Sequence, residues 1–258
     1  MCGGAAEGRG HGRKIRDNRA AARGRHPRAA IHHKGEAARW GLWGGLHREL
    51  GLAFAEIASD PDLRALILTG TGDRFCAEFD MEGEMPPPMS PAVWDVIFRE
   101  GRSLLNNLLA IEVPVIAAVN GPAFIHAELA VLADIVLASD TAVFADKAHG
   151  VAGVVPGDGV HTIWPMLLGP NRGRYFLLTG QEIGAQEALA LGIVGEVLPR
   201  DALLDRAWEH ARAIAARPPL AMRYTRIALT TRLREQVARE LGPGLMLEGM
   251  AVLAGQGN

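Results

Sequence analysis

Cysteine and long apolar runs are both scarce in this chain. Its 258 residues include two cysteines, Cys2 and Cys76, which are too few for a disulfide framework and lack the spacing of a metal site. No apolar run reaches the roughly 18 to 20 residues that a membrane-spanning helix needs, and the first residues lack the apolar core of a secretory signal. We therefore expect a cytoplasmic protein without a membrane partner.

Net charge is also small, at −2, but the basic residues are concentrated at the start, where residues 1–35 hold nine Lys or Arg against two acidic residues. A basic, Gly-rich segment can bind nucleic acid through the phosphates or serve as a transit peptide. Residues 1–38 show no apolar periodicity, however, so we expect a disordered or poorly packed arm. We assign it no nucleic-acid partner and no part in the chemistry.

Apolar residues make up 48% of the chain, enough to bury one large core. Residues 39–200 alternate between strand-like and helix-like segments, which predicts an α/β layered fold. Strands are predicted at 63–69, 113–119, 135–138, 142–144 and 193–198. Helices are predicted near 46–57, 93–109, 126–132, 160–168 and 186–191. Residues 201–258 are predicted to be wholly helical, with helices at 203–214 and 220–241 and a third after Pro243.

Three segments in the same order resemble landmarks of the crotonase (enoyl-CoA hydratase/isomerase) superfamily: Leu68–Asp80, Glu112–Ser139 and Gly153–Leu198. The resemblance implies a spiral of ββα turns with a C-terminal helical region used in trimer formation, and hence a homotrimer or a dimer of trimers. It also implies an enolate held by two backbone N–H groups, here near Glu78-Phe79 and at His126. Such preorganised donors favour charge that develops in the transition state.

The sequence departs from the hydratases of that superfamily in two places. Glu128 stands where their first catalytic glutamate is expected, but the second position is His149, so two-glutamate hydration is not expected. The family also begins with a pair of strands before the first helix, and residues 1–39 show neither strand. Either the chain start is wrong, or an early reading frame is shifted, or the first strand pair is missing.

Five polar residues are instead similar to those of the β-diketone hydrolases of the 6-oxocamphor hydrolase type within this superfamily: His47, His126, His149, Asp158 and Glu248. This likeness implies hydrolytic cleavage of a C–C bond in a cyclic or bicyclic β-diketone, through an enolate, to a keto acid. The small-molecule diketone supplies its own electron sink. We therefore predict no metal and no organic cofactor.

The chemistry suggests a role for each of the five residues. Histidine titrates near neutral pH, and a carboxylate on its second nitrogen fixes the tautomer, so we predict a His149–Asp158 dyad that activates water. His126 would bond the enolate oxygen and return the proton. His47 would position the water or the second carbonyl, and Glu248 would orient a histidine.

Four aromatic residues, Trp40, Trp43, Phe79 and Trp94, could line the apolar pocket that an alicyclic diketone needs, although core packing explains them equally well. Two other functions stay open at this point. One is an acyl-CoA hydratase or isomerase. The other is a catalytically silent member of the superfamily that serves as a binding or scaffolding protein, for example through the basic arm.

Overall fold

The computed structural model describes residues 28–32, 35–41, 43–150 and 153–255, with only the backbone of Arg28 and Ala29. Within these ranges, none of the helices combines the length and the apolar character needed to cross a membrane. Helices and strands are interspersed up to residue 198, and two helices follow, so the α/β fold class that the sequence predicts is confirmed.

The central sheet has five parallel strands: β1 Arg28–Ile31, β3 Leu66–Gly70, β5 Val115–Val119, β6 Ile135–Ser139 and β9 Glu196–Leu198. Their order across the sheet is β1-β3-β5-β6-β9. Two small sheets flank it. In one, β2 Arg39–Gly41 pairs in parallel with β4 Glu78–Asp80. In the other, β7 Val143–Phe144 pairs antiparallel with β8 Ile183–Gly184.

Eight helices are described: α1 Leu46–Ala58, α2 Pro91–Ala110, α3 Glu128–Val131, α4 Val160–Leu168, α5 Pro170–Thr179, α6 Ala185–Ala190, α7 Arg200–Ala215 and α8 Pro219–Gly255. The strands of the central sheet are almost continuously apolar because helices cover both faces. Alternate residues of β3 point to opposite faces. Ile67 joins a cluster with Leu203 and Ala207 of α7, while Leu68 joins the main core with residues of α1 and α2.

The expectation that residues 1–39 contain no strand is wrong. β1 lies inside the predicted arm and pairs residue by residue with β3, from Arg28 opposite Ile67 to Ile31 opposite Gly70, and β2 also precedes α1. β1 is an edge strand with the sequence Arg-Ala-Ala-Ile, whose intrinsic strand propensity is weak. It forms because pairing with β3 outweighs that weak propensity. Ile31, 1% exposed, adds a large side chain to the core. Residues 1–27, most of the predicted arm, lie outside the described residues.

Two helix predictions also need correction. No helix was predicted at 170–179, yet α5 begins at Pro170 and ends before Gly180, whose φ is 64°. Proline at a helix start and glycine just past its end are the usual boundary signals. The predicted break at Pro243 is wrong too, because α8 runs through it. A proline inside a helix costs about 3 kcal/mol, and contacts on both sides of Pro243 offset this cost. Before the proline, Glu240 accepts a hydrogen bond from the Thr162 hydroxyl of α4 at 2.7 Å; after it, the Leu245 carbonyl accepts one from the Trp94 indole of α2 at 3.0 Å.

Candidate active site

Five buried side chains form a line in which carboxylates alternate with imidazoles, here called the acid–imidazole chain: Glu128, His126, Asp158, His149 and Asp146. His126 Nδ1 lies 2.6 Å from Glu128 Oε1 and 3.5 Å from Asp158 Oδ2. The same Asp158 oxygen lies 3.3 Å from His149 Nε2, and His149 Nδ1 lies 2.8 Å from Asp146 Oδ1. All five residues are at most 9% exposed. The predicted partners His149 and Asp158 therefore do meet, with His126 on the other side of the aspartate.

The main chain at His126 adopts a conformation that favours glycine. Its φ is 51°, and it is the one non-glycine residue with a positive φ in the part of the chain that is described. Histidine tolerates this region better than most residues, but such backbone costs about 1 to 3 kcal/mol and is kept where the surroundings enforce it. Two contacts hold the His126 ring in place: its hydrogen bond to Glu128 and its stacking on Trp40, with the two ring centroids 3.9 Å apart.

Charges within the acid–imidazole chain determine which of its side chains are protonated. Burial lowers the pKa of His149, but the carboxylates of Asp158 and Asp146 outweigh burial and raise it to about 12. Burial likewise lowers the pKa of His126, and Glu128 and Asp158 raise it above the usual value. Burial raises the pKa of Asp158, yet the two flanking imidazoles bring it well below its usual range. Asp158 is therefore held as an anion, and the upward shifts in the pKa of His149 and His126 favour the protonated forms of both rings.

Glu248 reaches this group from α8. Its Oε1 lies 4.0 Å from His149 Nε2, too far for a hydrogen bond. Burial, followed by repulsion from Asp158, raises the pKa of Glu248 to about 8, so it holds a proton at neutral pH. The Pro156-Gly157 turn allows α8 to approach closely, because a Cβ at Gly157 would lie 2.2 Å from the Gly244 carbonyl oxygen.

His47 lies beside the acid–imidazole chain rather than in it. Its ring centroid is 5.6 Å from that of His126 and 5.8 Å from that of Trp40, and its Nδ1 is 3.6 Å from Glu100 Oε2. Burial lowers the pKa of His47 more than the nearby Glu100 carboxylate raises it. His47 is therefore neutral at pH 7 and can both donate and accept a hydrogen bond.

The four predicted pocket aromatics separate into different surroundings. Trp40 stacks on His126, and Phe79 is its register partner across the β2–β4 pair, so their side chains share one face. Trp43 lines a cavity of about 170 Å³ with Leu46 and other residues; none of the acid–imidazole chain lines this cavity. Trp94 donates its indole N–H to the Leu245 carbonyl of α8 at 3.0 Å, which is a helix–helix contact.

Three acidic contacts were missed by the sequence analysis. Glu128 was noted only as a hydratase position, and its bond to His126 was not foreseen. Asp146 and Glu100 were not considered at all. Asp146 precedes His149 by three residues, a local spacing that could have suggested the bond, whereas the His47–Glu100 contact joins two helices that no local pattern relates. His126, Glu128 and Asp158 each offer an atom within 4.8 Å of the others, a spacing that could also hold a cation.

The two segments expected to supply the enolate-binding N–H groups are joined directly. The N–H groups of Phe124 and Ile125 both donate to the Cys76 carbonyl, at 2.8 and 3.2 Å, and Cys76 forms a bridge with Ala123. This places the segment before His126 against the segment before Glu78. The donor pair itself stays a prediction.

Comparison with known proteins decides the family. The sequence profile of the family described as Enoyl-CoA hydratase/isomerase matches residues 41–247. The chain belongs to the enoyl-CoA hydratase/isomerase, or crotonase, family. Among curated relatives, a carnitinyl-CoA dehydratase of Proteus mirabilis is 40% identical over 181 residues, 67% of this chain and 66% of its own length. The chain thus spans just under two thirds of that relative. A putative enoyl-CoA hydratase/isomerase of Bacillus subtilis is 33% identical over 206 residues, 79% of this chain and 76% of its own length.

Two solved structures have closely similar folds. A β-diketone hydrolase from the cyanobacterium Anabaena sp. PCC 7120, bound to (S)-3-oxocyclohexyl acetic acid, is 47% identical with a TM-score of 0.83, and the match covers 88% of this chain and 89% of that one. An enoyl-CoA hydratase/isomerase from Mycobacterium paratuberculosis is 28% identical with a TM-score of 0.80, covering 89% and 91%.

Proposed function

We propose that this protein is a hydrolase that cleaves a C–C bond of a cyclic or bicyclic β-diketone. The observation that carries the proposal is the position of Asp158, whose Oδ2 lies within 3.5 Å of both His126 and His149. A proton acceptor for water and a donor for the departing enolate therefore lie side by side in a buried site. The 47% identity to a β-diketone hydrolase that binds a ring-bearing keto acid supports the same reaction.

In the proposed reaction, His149 first releases its Nε2 proton to solvent, and water then adds to one carbonyl carbon while its proton passes to the His149–Asp158 pair. We assign the base to the pair because the proton shared by strongly interacting groups belongs to both. The C–C bond then breaks. The attacked carbon becomes a carboxylic acid, and the electron pair of the broken bond forms the enolate of the second carbonyl.

His126 is proposed to hold the enolate oxygen as an imidazolium and to return the proton to carbon. Its Nδ1 faces Glu128 and Asp158, which leaves Nε2 for the enolate. His47, as a neutral imidazole, would position water or the second carbonyl. Glu248 would hold its proton near His149 Nε2 and orient that ring. Trp40 and Phe79 would form the apolar wall, and Trp94 would act indirectly by anchoring α8.

An acyl-CoA hydratase or isomerase is the second candidate. It is favoured by the 40% identity to carnitinyl-CoA dehydratase and by Glu128, which stands at the position of the first hydratase glutamate. Against it, Glu128 is occupied by a 2.6 Å bond to His126, and no second glutamate stands at the place of His149.

A substrate panel separates the two candidates. Purified protein is mixed with bicyclic and monocyclic 1,3-diketones and, separately, with crotonyl-CoA. We expect loss of diketone absorbance and formation of a keto acid without coenzyme A. Turnover of crotonyl-CoA with no diketone cleavage would reverse the assignment.

A homotrimer or dimer of trimers stays our proposal for the assembly. Met246, Leu247 and Met250 on α8 are 59 to 68% exposed, and apolar side chains so placed favour contact with another subunit. Light scattering on the purified protein measures the subunit number directly.

A further inference from the structure

The contact of His149 with Asp146 is the shortest that its ring makes in the acid–imidazole chain. Nδ1 and Asp146 Oδ1 are 2.8 Å apart, against 3.3 Å from Nε2 to Asp158 and 4.0 Å from Nε2 to Glu248. Asp146 and His149 are 5% and 4% exposed. The two aspartates therefore hold different nitrogens of one buried ring, and Asp158 is on the side that faces His126 and Glu248.

The backbone fixes Asp146 before any substrate arrives. On either side of it, Ala145 N–H donates to the Ala123 carbonyl at 3.1 Å and Lys147 N–H donates to the Phe124 carbonyl at 2.9 Å. Its Oδ1 also accepts the Ala148 N–H at 3.3 Å. The segment that carries Asp146 is thus bound to the segment that leads into His126.

An imidazole that shuttles protons needs to keep one nitrogen protonated throughout. A carboxylate hydrogen-bonded to one ring nitrogen keeps the proton there and leaves the other nitrogen for exchange. Asp158 cannot do this for Nδ1, because it lies at Nε2. On the basis of the proposed function, we propose that Asp146 is the positioning residue of His149: it holds the Nδ1–H proton and directs Nε2 to Asp158 and the reacting water.

The wild-type protein provides the first test, by NMR of protein labelled with ¹⁵N in histidine. We expect the Nδ1 proton of His149 at low field and in slow exchange with solvent, and we expect any deprotonation of the ring to occur at Nε2. Deprotonation at Nδ1 would overturn the proposal. This measurement requires no turnover and no variant.

Asp146→Asn provides the second test, with Asp140→Asn as the matched control. Asp140 is an exposed aspartate just after β6, so its substitution changes the formal charge equally. The Asn amide can donate to Nδ1 and select the wrong tautomer, a change that costs about 10⁴ in turnover in Ser-His-Asp triads. We expect kcat on the diketone to fall by about 10² to 10⁴, with KM within about threefold, while the control retains wild-type kcat.

The readouts distinguish this inference from the proposed function. Should no diketone be cleaved by the wild type while Asp146→Asn shifts the protonated nitrogen of His149, the positioning role stands and the reaction assignment fails. Should the wild type cleave diketones while Asp146→Asn leaves kcat and the Nδ1 proton unchanged, the positioning role fails. A purely structural Asp146 would lower the melting temperature and leave the tautomer of the folded fraction unchanged, which also overturns the proposal.

Discussion

Replacing Asp158 with Asn removes the negative charge between two imidazoles while keeping the shape of the side chain. In the wild type, Asp158 Oδ2 lies 3.3 Å from His149 Nε2 and 3.5 Å from His126 Nδ1. The variant therefore removes the favourable partner of both rings at once. Asp146 and Glu128 keep their own contacts with the same rings. A change in the pKa of His149 or in turnover is therefore caused by loss of the Asp158 charge.

The magnitude follows from Coulomb's law. Two unit charges about 3.3 Å apart interact by about 5 kcal/mol at an effective dielectric constant of about 20. A change of about 1.4 kcal/mol corresponds to one pKa unit, so the loss lowers the pKa of His149 by about three to four. Starting from about 12 in the wild type, the pKa of His149 in Asp158→Asn is expected at about 8 to 9.

Two measurements check this prediction. Histidine ¹⁵N shifts recorded against pH give the pKa of His149 directly, and diketone turnover is expected to fall by about 10² to 10⁴ because the water-activating pair is broken. Asp140→Asn again serves as the exposed control. A His149 ring that stays protonated above pH 10 in Asp158→Asn, or a turnover equal to that of the wild type, would show that Asp158 is not the charge that governs this site.

Three further predictions concern Glu248, Gly157 and His126. The pKa of Glu248 is raised above its unfolded value to about 8, so the folded state binds the extra proton and wild-type stability falls as pH rises from about 4.5 to 8. Glu248→Gln removes this loss. Its free energy of unfolding, measured by denaturant titration, should therefore gain on that of the wild type by about 4 kcal/mol between pH 5 and pH 9. Gly157→Ala places a Cβ 2.2 Å from the Gly244 carbonyl oxygen, so the free energy of unfolding, measured by thermal denaturation, should fall by about 1 to 3 kcal/mol. The control is Gly184→Ala, in which no atom lies within 4 Å of the new Cβ. This variant should unfold like the wild type. His126→Gly and His126→Ala both lose the imidazole and its activity, but the Ala variant keeps a Cβ at φ 51° and should be less stable than the Gly variant by about 1 kcal/mol in denaturant titrations.

The apolar strands could be predicted because a strand buried on both faces appears in the sequence as a continuous run of apolar residues. β5 was placed at 113–119 and is observed at 115–119. Pro243 misled the prediction because a local rule for helix ends does not register that α8 is held on both sides of the proline. α5 was missed although its Pro170 and Gly180 are ordinary boundary residues.

Within the site, the resemblance to β-diketone hydrolases selected His126, His149 and Asp158, and the fold brings these three together. Their contacts could not be read from spacing, because His126 and Asp158 are 32 positions apart and meet only through packing. Trp94 was predicted as a pocket residue because of its apolar ring. In the structure its indole N–H instead donates a hydrogen bond to the Leu245 carbonyl and holds the ring against α8.

The edge position of β1 has a practical consequence for anyone shortening this protein. A cut at residue 38, which composition alone would recommend, removes the strand that pairs with β3 from Ile67 to Gly70. The β3 amide and carbonyl groups on that side would then be open to strands of other molecules, a common origin of aggregation. Material truncated there is expected to be lost as precipitate during expression, whereas a cut before Arg28 preserves the outer rim of the sheet.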